Sequence, residues 1–138
     1  MMRILHGIDI VHVSKIKKIM LSREAFANEV FSDREREYCL SRRDPYVHFA
    51  GRFAAKEATL KALGTGLSGN GIDGALAEIE VTPDRTGRPE LSLSGWTAKV
   101  GARKNVCRHT VSISHSGDYA VASVILTANA PEADETRR

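Results

Sequence analysis

The stretch 46–63, YVHFAGRFAAKEATLKAL, organises the reading of the whole chain. It holds no proline, Asp44-Pro45 stands before it and Gly64 follows it. The residue before a proline avoids the helical region, and glycine accepts the left-handed turn that ends a helix. A long helix over 46–63 is therefore expected. Its small residues Ala54, Ala55 and Ala58 let a neighbouring element approach closely. Glu57 sits among them with Lys61 one turn on. On a solvated face that spacing is a plain ion pair worth about 0.2–0.5 kcal/mol. Arg52, Lys56 and Lys61 spread cations along the same helix, and Arg42 and Arg43 precede it. Such groups suit a polyphosphate, since Arg grips two oxygens at once and Lys acts as a point charge. A solvated basic surface is the plainer alternative.

Towards the N-terminus, residues 3–13 (RILHGIDIVHV) predict a strand. Leu5, Asp9, Val11 and Val13 share one face; Ile4, Ile8 and Ile10 share the other, so both faces are expected to be buried. Asp9 interrupts this apolar run, and a carboxylate taken out of water needs a cation, a metal or several N–H donors. Ser14 stands where an N-cap belongs, ahead of a helix with Ile16, Ile19 and Met20 on one side and Lys15, Lys17 and Lys18 on the other. Ser32-Asp33-Arg34-Glu35 has the pattern of a capping box opening a second helix.

Towards the C-terminus, Gly64-Thr65-Gly66 opens a glycine-rich loop running to Gly74. It is not a P-loop, because it follows a helix and lacks the G-K-[ST] ending. Residues 77–82 predict a strand, the turn 83–89 leads to a second at 91–93, and a short helix follows over 95–104. Strands 110–115 and 119–127, joined by Ser116-Gly117-Asp118, close the fold. From Ala128 the chain is polar and aperiodic, a tail over 128–138. Strands and helices mix without strict alternation, so the class is α+β, with one domain over 1–127.

The 138 residues, 42% hydrophobic and 27% charged, exclude a wholly disordered or collagen-like chain. No apolar run reaches the roughly 20 residues that span a bilayer, and the N-terminus lacks a signal-peptide pattern, so a cytoplasmic location is expected. Cys39 and Cys107 have neither metal-site nor redox-pair spacing and are expected to be free thiols. The net charge of +3 and pI of about 9.0 fit phosphates or an acidic partner. Asp9 from a strand and Glu57 from a helix are the two acids able to hold Mg²⁺, a hard cation content with few protein ligands when phosphates supply the rest. His115 ends a strand beside Ser114 and Ser116, and no Asp or Cys is spaced to make it part of a triad, so catalysis by a nucleophile of this chain is poorly supported.

Three blocks, 7–16 (GIDIVHVSKI), 49–66 (FAGRFAAKEATLKALGTG) and 111–125 (VSISHSGDYAVASVI), together resemble the holo-[acyl-carrier-protein] synthases, the small single-lobed 4′-phosphopantetheinyl transferases. The middle block is the most specific, matching that family's R-[FW]-A-A-K-E-A-x-x-K-A helix followed by G-T-G. The chain departs from the family at Lys15, where Arg is usual, at His12, where Glu is usual, and in lacking an aromatic before the I-E-V strand.

The resemblance implies a mainly antiparallel sheet packed on the long helix, and a homotrimer with sites between subunits. It implies transfer of 4′-phosphopantetheine from coenzyme A to a serine of apo acyl carrier protein, releasing adenosine 3′,5′-bisphosphate, in support of fatty acid or polyketide biosynthesis. The attacking serine then belongs to the partner, which accounts for the missing nucleophile. By the same resemblance Asp9 and Glu57 hold Mg²⁺, and the serine proton passes to Glu57 or to a metal-linked water. Lys61 stabilises the leaving phosphate; Arg52, Arg42 or Arg43, His115, Gly64, Thr65 and Gly66 line the coenzyme A site. Lys15 and Lys18 meet the acidic helix of the carrier, Lys15 keeping the usual charge without the bidentate fork. Neither nucleic acid nor membrane is an expected partner. A basic nucleic-acid-binding module is the main rival, opposed by the 6% aromatic content. A homologue that keeps the fold without the activity is the other.

Overall fold

The computed structural model describes residues 1–65 and 72–130, the side chains of 72 and 73 excepted. In chain order the elements are β1 (Met2–His12), α1 (Val13–Ser22), α2 (Phe26–Val30), α3 (Asp33–Leu40), α4 (Pro45–Ala62), α5 (Ile72–Glu78), β2 (Ile79–Pro83), β3 (Pro89–Leu93), α6 (Gly95–Arg103), β4 (Val106–Ser116) and β5 (Tyr119–Asn129). The long strands form an antiparallel sheet in the order β1-β5-β4, and β2 and β3 form a separate hairpin. The class is α+β, as the residue pattern predicts.

Helix α4 lies across the sheet against β1 and β5. Ala50, Ala54, Ala55 and Ala58 are fully buried, and their small size sets the close spacing. Gly7 completes that contact from the strand side: a Cβ there would lie 1.9 Å from the Ala58 carbonyl oxygen, so no other residue lets β1 sit this near the helix. The core has two parts. One joins Ala54, Ala58, Val124 and Leu126 to Val81 and Leu91 of the hairpin. The other gathers Val13, Ile16, Phe26, Phe31 and Phe49 where α1, α2 and α4 meet.

The expected capping box is present: Ser32 Oγ accepts from the Glu35 N–H at 3.2 Å, and Glu35 Oε1 accepts from the Ser32 N–H at 2.9 Å. Both cysteines are free, Cys39 buried and Cys107 exposed. No described helix is long and apolar enough to cross a membrane.

Several expectations are corrected. Outer-face residues Ile4, Ile8 and Ile10 are 72%, 56% and 61% exposed, so β1 is covered on one side only, by α4. Ser14 is not the N-cap; α1 begins at Val13, and a carboxylate from the β4–β5 turn takes the capping position. The short helix α2 was not signalled, having barely more than one turn of apolar pattern. Residues 72–78 are helical where a loop and a strand start were expected, and β2 begins at Ile79. Strand β4 starts at Val106, behind a bulge between Val106 and Arg108 that hides its alternation. Strand β5 continues to Asn129, with Ala128 buried against Arg3 of β1 rather than opening a tail. Residues 131–138, where the rest of that tail was placed, lie outside the described ones.

Candidate active site

Asp9 projects from β1 on the face that meets α4, with a side chain only 10% exposed. Its Oδ1 accepts a hydrogen bond from Lys61 Nζ at 2.8 Å, and the same ammonium donates to the Ile8 carbonyl at 3.1 Å. Lys61 is therefore tied across the β1–α4 contact instead of serving a local pair with Glu57. Oδ2 of Asp9 is buried without a partner. A buried carboxylate oxygen left without a donor is costly unless something else satisfies it.

Glu57 lies one turn before Lys61 on α4. Burial, followed by the neighbouring Asp9 carboxylate, pushes its pKa from 4.5 up to about 8, with Lys61 and Lys15 acting the other way. A glutamate pushed towards its neutral form beside an aspartate with an orphaned buried oxygen is a pair whose chemistry suits a cation. Among the described residues no third acid, His or Cys joins them. That sparse oxygen-only set fits Mg²⁺ better than a metal needing an all-protein cage.

A second group of side chains gathers around Tyr38 of α3. The Arg52 guanidinium carbon stacks 4.3 Å from the ring centroid, Arg42 lies at 5.4 Å, and the His48 ring meets it edge-on at 5.9 Å. Arg52 is 5% exposed and its Nε has no partner. His48 is held below its ordinary pKa by burial first, then by Arg52, Arg42 and His115, with Asp44 opposing. Two guanidiniums and two imidazoles thus converge, and among the described residues Arg52 is buried without a carboxylate partner. Such a cluster is electrostatically suited to an anion. Arg43 is exposed in the turn before α4 and takes no part in this stacking.

At the end of α4, Gly64 adopts φ +80°, and the Thr65 N–H and hydroxyl both donate to the Leu60 carbonyl, at 3.0 and 3.2 Å. A Cβ at Gly64 would lie 3.9 Å from Lys104 Nζ, so a further cation stands beside this turn. Gly66 lies outside the described residues. On α1, Lys15 is exposed on the side near Glu57, Lys18 borders a shallow groove with Ser14, Lys17 and Leu21, and Lys17 stacks on Tyr46 at 5.2 Å.

Lys56 does not belong to the polyphosphate-facing set in which the helix pattern placed it. Its ammonium is fully buried, donating to Glu35 Oε1 at 2.8 Å, to the Leu76 carbonyl at 2.9 Å and to the Ile79 carbonyl. Glu35 in turn accepts from the Val81 N–H at 2.8 Å. Lys56 is a strut joining α4, α3 and the α5–β2 junction. Sequence reasoning passed over Tyr38, His48 and Asp118. The only signal for His48 was its position one turn ahead of Arg52, and a half-buried tyrosine and a turn aspartate carry no signal of this kind.

A family model described as the 4′-phosphopantetheinyl transferase superfamily matches residues 6–124. The chain is 44% identical over 121 residues to a holo-[acyl-carrier-protein] synthase of Syntrophus aciditrophicus, covering 87% of this chain and 92% of the relative. It is 38% identical over 124 residues to that of Caldanaerobacter subterraneus, covering 90% and 94%. Among solved structures, an apo-ACPS of Chronobacterium ammoniagenes superposes with TM-score 0.82 at 35% identity, covering 94% of this chain and all of the other. The ACPS–CoA complex from the same organism gives 0.81 at 35%, covering 93% and 99%.

Proposed function

The chain belongs to the 4′-phosphopantetheinyl transferase superfamily, among the holo-[acyl-carrier-protein] synthases, and from that premise we propose that it transfers 4′-phosphopantetheine from coenzyme A to a serine of an apo acyl carrier protein. The carrier's serine oxygen bonds to the phosphorus nearer the pantetheine. The bond from that phosphorus to the bridging oxygen breaks, and its electron pair leaves with adenosine 3′,5′-bisphosphate while the serine proton passes to the Glu57 carboxylate or to water. The holo carrier then serves fatty acid or polyketide synthesis.

The observation that carries this reading is the orphaned, buried Oδ2 of Asp9 facing Glu57 beside the Lys61 ammonium. Asp9 and Glu57 are the residues to hold Mg²⁺, which when bound supplies charge neutralisation on the pyrophosphate and a fixed anchor for its oxygens. Lys61, already pinned between Asp9 and the Ile8 carbonyl, presents a fixed positive charge to the leaving phosphate. Because it is pre-placed, little reorganisation is needed as charge develops there. Arg52 and Arg42, held on Tyr38 with His48 and His115 beside them, bind further phosphate oxygens of coenzyme A. Gly64, with φ +80° and no side chain, leaves the backbone of this turn open to the nucleotide beside Thr65.

Helix α1, with Lys15 and Lys18, is the docking element for the acidic carrier. Its placement beside Glu57 supports this, because a serine delivered there reaches the two acids. The exposed isoleucines of β1 support assembly through the outer sheet face into a homotrimer that places sites between subunits.

Intact-protein mass spectrometry of an apo acyl carrier protein incubated with this protein, coenzyme A and Mg²⁺ tests the reading. A gain of one phosphopantetheine that disappears with EDTA is expected. No gain from a folded sample that still binds coenzyme A would replace the transferase with an inactive homologue.

A further inference from the structure

The turn between β4 and β5 touches α1 through one residue. Asp118 Oδ1 accepts from the Ser14 N–H at 3.0 Å, and its Oδ2 accepts from the Ser14 hydroxyl at 2.6 Å. The Asp118 carbonyl accepts from the Val13 N–H at 2.8 Å. His12 Nδ1 lies 3.5 Å from Oδ2, and the His12 ring packs on Tyr119 at 4.7 Å between centroids. The N-cap residue of α1, His12, makes no side-chain cap of its own. The first turn of α1 is thus capped from a turn 104 positions away in sequence, and its start is fixed to the strand end that carries His115.

We propose that Asp118 is a positioning residue for carrier docking: it fixes the direction in which α1 leaves β1, and hence where Lys15 and Lys18 meet the acyl carrier protein. The proposal rests on the reading of α1 as the docking helix. Three hydrogen-bonding or ionic contacts converge on a side chain that is itself half exposed, so the carboxylate does not serve core packing. It also meets the place where this chain departs from its family pattern. With His at position 12, Asp118 places an acid at the head of α1 in this chain.

The sign of the effect separates positioning from simple charge. Asp118 is a negative charge beside a basic helix, so electrostatics alone makes Asp118→Ala a better binder of an acidic carrier, lowering its KM. Positioning predicts the reverse. Steady-state kinetics on the full-length protein, with apo acyl carrier protein and coenzyme A varied separately, reads the difference. Asp118→Ala is expected to raise the carrier KM about five-fold, the equivalent of one lost cap, with kcat and the coenzyme A KM unchanged. Asp118→Asn is expected to restore the wild-type carrier KM, since Asn caps as well as Asp. Ser14→Ala, which keeps the backbone bond to Asp118, is expected to fall between them and decides the matter should Asp118→Ala not fold. Lys15→Glu is the control for the docking reading beneath the proposal. A raised carrier KM in Lys15→Glu with an unchanged or lowered one in Asp118→Ala overturns the positioning role alone. An unchanged carrier KM in Lys15→Glu overturns the docking reading and the proposal with it. A fall in apparent kcat with both KM values unchanged in Asp118→Ala and Ser14→Ala assigns Asp118 to stability and also overturns it.

Discussion

Glu57 shows how one side chain can be set against the fold that holds it. Its pKa of about 8, against an ordinary 4.5, means that the folded chain holds a proton there that the unfolded chain has already released. The sign follows from linkage: that contribution to stability is complete below pH 4.5 and is lost as pH rises through about 8. Glu57→Gln removes the titration. Without Mg²⁺, the variant is expected to melt at a higher temperature than wild type at pH 8.5, and thermal melts across pH 5–9 measure this. Mg²⁺ is expected to raise the wild-type melting temperature at pH 8.5 and to leave that of Glu57→Gln unchanged, while transferase activity is lost in the variant. Equal melting curves for the two proteins would remove Glu57 from the metal site. The sequence singled out Asp9, because an aspartate in an apolar strand is anomalous in itself, while Glu57 stood out from a plain ion pair only through the family resemblance. It did not supply the Asp9–Lys61 pair, which exists only because β1 and α4 touch.

The middle helix carries two kinds of cation that look alike in the one-letter string. Lys56 and Lys61 lie on different sides of α4, and only their surroundings separate a buried strut to Glu35 from a half-exposed partner of Asp9. Glu35→Ala would leave the Lys56 ammonium buried with carbonyl partners alone, and breaking a buried pair from one side costs about 3–5 kcal/mol. Urea denaturation is expected to show a loss of that order, with the specific activity of the remaining folded protein preserved. Tyr38 supports the arginine cluster from α3. Its ring holds Arg52 and Arg42 in place, an interaction worth about 1–2 kcal/mol where partly desolvated. Tyr38→Leu is expected to raise the coenzyme A KM about five-fold or more while the carrier KM stays constant, and Tyr38→Phe, which keeps the ring, is expected to behave as wild type. The helix itself was legible from its flanking proline and glycine. Its two lysine roles were not, since a partner such as Glu35, 21 positions away, leaves no periodic mark.

Across the whole molecule, the outer sheet face is where one chain looks incomplete. Ile4, Ile8 and Ile10 of β1 stand exposed on the same face as Tyr119 and Ile125 of β5, an apolar group of the kind that marks an interaction surface. Ile8→Asp is expected to convert the assembly to monomers by size-exclusion chromatography with light scattering, and to lower activity if the neighbouring subunit completes the site. A wild-type chain that is itself monomeric at micromolar concentration would remove the assembly reading. Apolar residues on both faces of β1 predict burial on both, yet only the α4 side is buried within one chain. Pattern reports that a face wants cover, and it does not report which body provides it.

The sequence by itself determined the α+β class, the long helix, the capping box of α3, the antiparallel close of the fold and the family motifs. All of these depend on spacings within about twenty residues, where periodicity, capping chemistry and turn residues act directly. Only the tertiary structure decided that Lys61 answers to Asp9, that Lys56 answers to Glu35, that Arg52 is held on Tyr38 and that α1 takes its cap from Asp118. Each of those pairs joins separate elements, and its energy comes from burial and hydrogen-bond geometry that arise when α4 settles onto the sheet.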